Sequence, residues 1–163
     1  MENPLKRTRY DWIIEILSLL SLVAAFIPVL YYRQLGEGNI LPIHYNAAGE
    51  IDGWGSRSFL WQLPLIATVF YAALTICERF YKKFNLPFKV TSNNATPVYR
   101  LSIRLVRHVK LVCIILFAYI NNTSLANAMG KGDNLNPYVM MFFVSALLAM
   151  VVIYYIKVYF YKE

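Results

Sequence analysis

The chain is 163 residues long, one domain's worth, with 58% hydrophobic residues and a formal net charge of +7. Its mean hydropathy of +0.45 and its apolar fraction exceed the roughly 45–50% apolar content of soluble domains, which excludes an ordinary water-soluble globule and points to a membrane. The two cysteines, Cys77 and Cys113, sit inside apolar runs and read as small buried hydrophobes, with no metal-binding spacing around them.

In chain order, the first element is an apolar run, Trp12–Tyr32, long enough to cross a bilayer, which takes about 20 residues. Lys6, Arg7 and Arg9 precede it, as they would a signal peptide, but the run is longer than the roughly 7–15 residues of a signal core and reads as an uncleaved helix. Three more runs follow: Phe59–Cys77, about Leu105–Ile120 and Tyr138–Tyr159. Pro28 and Pro64 fall inside spans, where a helix tolerates them if neighbours satisfy the freed carbonyls. Tyr10, Trp12, Tyr31, Tyr32, Trp54, Trp61, Tyr138, Tyr155 and Tyr159 mark the span ends as an interfacial aromatic belt. The fold expected is an all-α integral membrane bundle of four transmembrane helices, one domain over 1–163, with a small ordered extracytoplasmic cap at 33–58.

Lys and Arg placement sets the expected direction. Thirteen of the sixteen fall in the amino-terminal tail, the 78–110 region and the carboxyl terminus, against Arg33, Arg57 and Lys131 in the other two links. Both termini are therefore expected to be cytoplasmic, in a multi-pass membrane protein. The last outer link, from Asn121 to Asn136, reads as a plain Gly/Asn-rich loop.

The link between the first two spans is the least ordinary part. Its segment "ILPIHYNAAGEIDGWGSRSF" (40–59) begins with a short extended pattern and continues through turn sequences in which Asn46 and Asp52 can bond their own backbone and Gly49, Gly53 and Gly55 allow unusual dihedrals. A hairpin-like cap follows, with Trp54 as its apolar anchor and Ser56 or Ser58 capping the next helix. Its polar groups are open to three readings: turn satisfaction, a recognition surface, or a metal or acid–base site. His44, Glu50 and Asp52 make a conceivable three-ligand zinc set with an open position, although their spacing matches no established signature.

The inner link carries a basic helix. Thr96-Pro97 reads as its start, and Arg100, Arg104, Arg107 and Lys110 recur along it as a strip facing anionic lipid or an acidic cytosolic regulator. Nucleic-acid binding would need that strip free of the membrane and is not expected. His108 beside the strip reads as locally hydrogen-bonded. Glu15, one turn inside the first span, needs a partner at that depth, and an intramembrane ion pair with Arg107 or with Lys110 would supply it. Otherwise the spans are expected to lack paired charges, which argues against a small transport accessory subunit.

The motif Pro42, His44, Tyr45, Asn46, Gly49, Glu50, Asp52, Gly53, Gly55, Ser56 and Arg57 resembles the signature of the bacterial membrane domain at the amino terminus of SdpI-type immunity proteins, with Arg57 where lysine is usual. A second block, "FNLPFKVTSNNATPVYRLSIRLVRHVK", is similar to one in single-domain relatives, with its Asn-x-Pro and Tyr-Arg. The resemblance implies a non-enzymatic membrane protein without a cofactor, concerned with immunity to, or sensing of, an extracellular peptide toxin or envelope stress. Residues 40–58, Trp54 included, would be its recognition cap. The competing enzyme reading is a membrane-embedded hydrolase using a metal at His44, Glu50 and Asp52.

Overall fold

The computed structural model describes residues 3–36, 38, 40–86, 88–132 and 134–162; Pro87, the proline of the Asn-x-Pro block, lies outside them. Helix α1 spans Arg9–Leu30, strands β1 Ile40–Tyr45 and β2 Ile51–Ser56 form a hairpin, and helices α2 (Gln62–Cys77), α3 (Ala95–Ala128) and α4 (Pro137–Tyr159) follow. The chain is mostly helical. Three of its helical stretches, Arg9–Tyr31, Arg57–Lys83 and Pro137–Tyr159, are long and apolar enough to span a membrane.

Helix α3 is not one of the three. It carries the basic residues of its first half and Asn121, Asn122, Ser124 and Asn127 near its end, and it packs against α1, α2 and α4. At about 1.5 Å per residue its 34 residues reach about 51 Å. Of the four spans expected from sequence, the third is therefore a longer, more polar, internal helix. Its start also differs: Asn94, not Thr96, precedes the first turn, and its side chain ties Thr91 N–H (2.8 Å) to the Tyr161 carbonyl (2.9 Å).

The expected outer loop from Asn121 is instead helical as far as Ala128. Its polar residues turn inward because unsatisfied carbonyls wait there. The buried Asn121 amide donates to the carbonyls of Ala25 (3.0 Å) and Leu60 (3.1 Å), and Asn122 donates to Ala24 (3.1 Å) and Ala118 (2.8 Å). A hydrophobic cluster of Leu35, Leu41, Leu60 and Leu125 lies beside them, joining the α1 end, the hairpin, the 3-10 turn Arg57–Trp61 and α3.

Helix starts follow local chemistry. Thr8 and Asp11 form a reciprocal capping box on α1, and Asn136 accepts from the N–H groups of Tyr138 and Val139 with Pro137 at the first position of α4. Ser56 makes no such cap; its hydroxyl pairs with Ser58 at 2.5 Å ahead of the 3-10 turn.

Candidate functional site

The hairpin at residues 40–56 is built by its turn. Asn46 Oδ1 accepts from the N–H groups of Ala48 (2.9 Å) and Glu50 (3.0 Å), an Asx turn closed by Asn46 N–H to the Glu50 carbonyl at 2.9 Å. Asn46 Nδ2 also donates to Glu50 Oε2 at 2.9 Å, which commits that carboxylate to the turn. Gly49 has φ +82°, and a Cβ there would lie 1.8 Å from the carbonyl oxygen of Leu135. The Gly49 carbonyl in turn accepts from Leu135 N–H at 2.8 Å. Only glycine allows the tip to seat this closely on the α3–α4 link.

Two further anchors hold the hairpin. Tyr45 Oη meets Ser124 Oγ at 3.2 Å and accepts from Asn127 Nδ2 at 3.3 Å. Arg57 Nη1 donates to the Leu35 carbonyl at 2.7 Å, and its guanidinium lies over the Tyr32 ring at 4.7 Å. Leu41, only 1% exposed, fills the core. Trp54 is not the anchor expected of it. It stands on the outer face, 53% exposed, on the side of the strand that also carries Asp52 and Ser56, while Ile51, Gly53 and Gly55 alternate with them as half-buried residues.

The site residues divide accordingly. Asn46, Gly49 and Glu50 build the tip, Tyr45 and Arg57 moor it, and Gly53 and Gly55 admit close approach of His44 and Ile43 from the paired strand. His44 Nδ1 lies 2.5 Å from Asp52 Oδ1 with both side chains exposed. A carboxylate only accepts, so Nδ1 carries the proton and Nε2 is the unused nitrogen of an oriented imidazole. Among the described residues no hydroxyl or thiol hydrogen-bonds to that ring, and no three His, Cys, Asp or Glu side chains converge to hold a metal. Glu50 is turned to Asn46 rather than to the His44–Asp52 pair.

Beneath the hairpin, between β1, the start of α2, α3 and the start of α4, lies a cleft of about 330 Å³. Its walls are Leu41, Ile43, Phe59, Leu63, Ile66 and Met140, with Tyr45, Gln62, Asn121 and Ser124 as polar points and His44 at its border. Such a mostly apolar cleft with a few convergent polar groups is the ordinary form of a binding site.

A second constellation occupies the opposite end. Asp11, Glu15, Glu78, Arg107 and Lys110 are all buried. Lys110 Nζ contacts Glu15 Oε2 (3.1 Å), Glu78 Oε1 (3.2 Å) and Thr75 Oγ1 (3.0 Å), while Arg107 contacts Glu78 Oε2 (2.9 Å) and Asp11 Oδ1 (3.2 Å). Arg104 and Arg7 close it from the edge, on Asp11 and Glu15 at 3.1 and 3.2 Å, and Tyr71 donates to Glu15. Glu15 thus pairs with Lys110 and Arg7, not with Arg107, whose reach is taken by Asp11 and Glu78. The expected lipid-facing strip is also divided: Arg107 and Lys110 turn into the protein, and only part of it stays at the surface. The i, i+4 spacing of Asp11 and Glu15 was the available signal for this network, and Glu78 had none.

The profile of a domain of unknown function, DUF1648, matches residues 19–68, from the middle of α1 through the hairpin into α2. The chain is similar to that family over the hairpin and its flanks, and α3 and α4 lie beyond the match. No curated protein and no solved structure matches the chain.

Proposed function

We propose that the chain is a non-enzymatic, SdpI-like protein of a bacterial plasma membrane, its termini cytoplasmic, in which the hairpin recognises an extracellular peptide. The helices form a four-span bundle with α3 inside, and the hairpin and its cleft cap the outer end. Immunity to a peptide toxin, or sensing of it or of envelope stress, is the role that follows.

One observation carries this reading. The hairpin is held at its tip, at Tyr45 and at Arg57, yet its outward face keeps His44, Asp52 and Trp54 in solvent beside an apolar cleft. A rigid support with exposed aromatic and polar groups is what a recognition surface requires, because little ordering entropy is lost on binding. The orientation rests on the Lys/Arg asymmetry, which survives the internal neutralisation of Arg107 and Lys110.

The test is survival of cells lacking the chain, complemented with wild type or with His44→Ala, under challenge by secreted antimicrobial peptides. Protection by wild type and its loss in the variant support the reading. Equal sensitivity of all strains across the panel sinks it.

A further inference from the structure

A separate cavity of about 480 Å³ lies at the end away from the hairpin, between the first turn of α1, the first half of α3 and the last turns of α4. Leu101, Leu105, Met150 and Ile153 give it an apolar lining from α3 and α4. Arg104, Lys157, Tyr10 and Tyr154 supply its polar groups, and no carboxylate among the described residues lines it.

The charges there are not balanced. Among the described residues four cations of the buried network and its edge face three carboxylates, so one positive charge is in excess, and Arg104 is the member of that network at the cavity. Lys157 is exposed and makes no ion pair or hydrogen bond among the described residues. His108 is fixed by two hydrogen bonds: its Nδ1–H donates to the Arg104 carbonyl at 2.5 Å, and its Nε2 is hydrogen-bonded to Tyr10 Oη at 2.6 Å.

We infer that this cavity binds an anionic phospholipid, its phosphate held by Arg104 and Lys157 and an acyl chain laid along Leu101, Leu105, Met150 and Ile153. A free phosphate would satisfy the cations and leave the apolar wall empty; a neutral lipid would fill the wall and leave Lys157 unanswered. Basic pockets between membrane helices on the cytoplasmic side have this character. The inference rests on the membrane-spanning reading of α1 and α4, and not on the role of the hairpin.

The experiment is native mass spectrometry of the full chain from mixed micelles holding equal amounts of dioleoyl-phosphatidylglycerol and dioleoyl-phosphatidylcholine. Phosphatidylglycerol adducts are expected to predominate, and Lys157→Gln to reduce that preference about fivefold, the effect of one basic residue at an anionic surface. Lys131→Gln, the same charge change at the hairpin end, is expected to leave it unchanged. Arg104→Gln also breaks the contact with Asp11, so Lys157→Gln on the exposed helix is the deciding variant. Equal adducts of both lipids, an unaltered preference in Lys157→Gln, or equal competition by glycerol 3-phosphate overturns the inference. Release of the chain from membranes by alkaline carbonate overturns the membrane reading along with it, whereas retention with no lipid preference overturns this inference alone.

Discussion

Asn121 supplies to Leu60 the donor that Pro64 lacks. In a helix the carbonyl of Leu60 would accept from residue 64, and proline has no N–H to give; the Asn121 amide takes that place at 3.1 Å. The adjacent Asn122 does the same for Ala24, the carbonyl left open by Pro28, at 3.1 Å. Two prolines on two helices are thus answered by two neighbouring asparagines on a third.

This pairing has a double-mutant test. Asn121→Leu is expected to lower stability in detergent by about 1 kcal/mol, the scale of a hydrogen bond between membrane helices. In a Pro64→Ala background, where residue 64 regains its N–H, the same substitution costs less. Thermal unfolding of the four proteins measures the coupling, and additivity within about 0.3 kcal/mol would dissolve the pairing.

Lys110→Met leaves Glu15 and Glu78 buried without their shared cation. Removing one partner of a buried ion pair costs about 3–5 kcal/mol, enough to unfold a marginal protein. Adding Glu78→Gln, which removes one of the stranded charges, restores part of it. Denaturant titration followed by size-exclusion chromatography measures both.

Gly49→Ala strikes a backbone atom and also has to accept φ +82°, whereas Gly38→Ala at φ +91° meets no atom within 4 Å. Gly38→Ala is expected to cost about 1 kcal/mol, the left-handed penalty alone. Gly49→Ala costs more and frees the hairpin tip. Hydrogen exchange over residues 40–56 reads the difference, with faster exchange only in Gly49→Ala.

His44→Ala removes an exposed side chain whose one partner is also exposed. Its stability is expected to stay within about 0.5 kcal/mol of wild type in the same unfolding assay. Loss of peptide protection at unchanged stability would then belong to recognition.

The apolar runs were legible because about 20 lipid-compatible residues in succession have few other uses, and they name α1, α2 and α4 closely. The hairpin was legible from Asn46 and Gly49, whose turn chemistry is local, whereas Gly53 lies within β2 without a positive φ. The continuation of α3 through Asn121–Asn127 was not, since asparagines next to glycines look like a loop until the carbonyls of Ala24 and Leu60 stand opposite them. Trp54 was misjudged for a related reason. A large aromatic is worth burying, but the alternation of a strand decides which face it takes, and Trp54 falls on the exposed side with Asp52 and Ser56. The network around Lys110 gathers residues far apart in the chain, Lys110 and Glu15 being 95 positions apart, and only the i, i+4 carboxylates of α1 hinted at it.

The contact between Gly49 and Leu135 joins the hairpin to the segment that leads into α4. Leu135 lies two residues before the first residue of that helix, which packs on α3 and is otherwise largely exposed along its length. The tip is therefore tied to the lead-in of the least-braced helix of the molecule. One hydrogen bond at Leu135 fixes the near end of a rod whose far end carries Lys157.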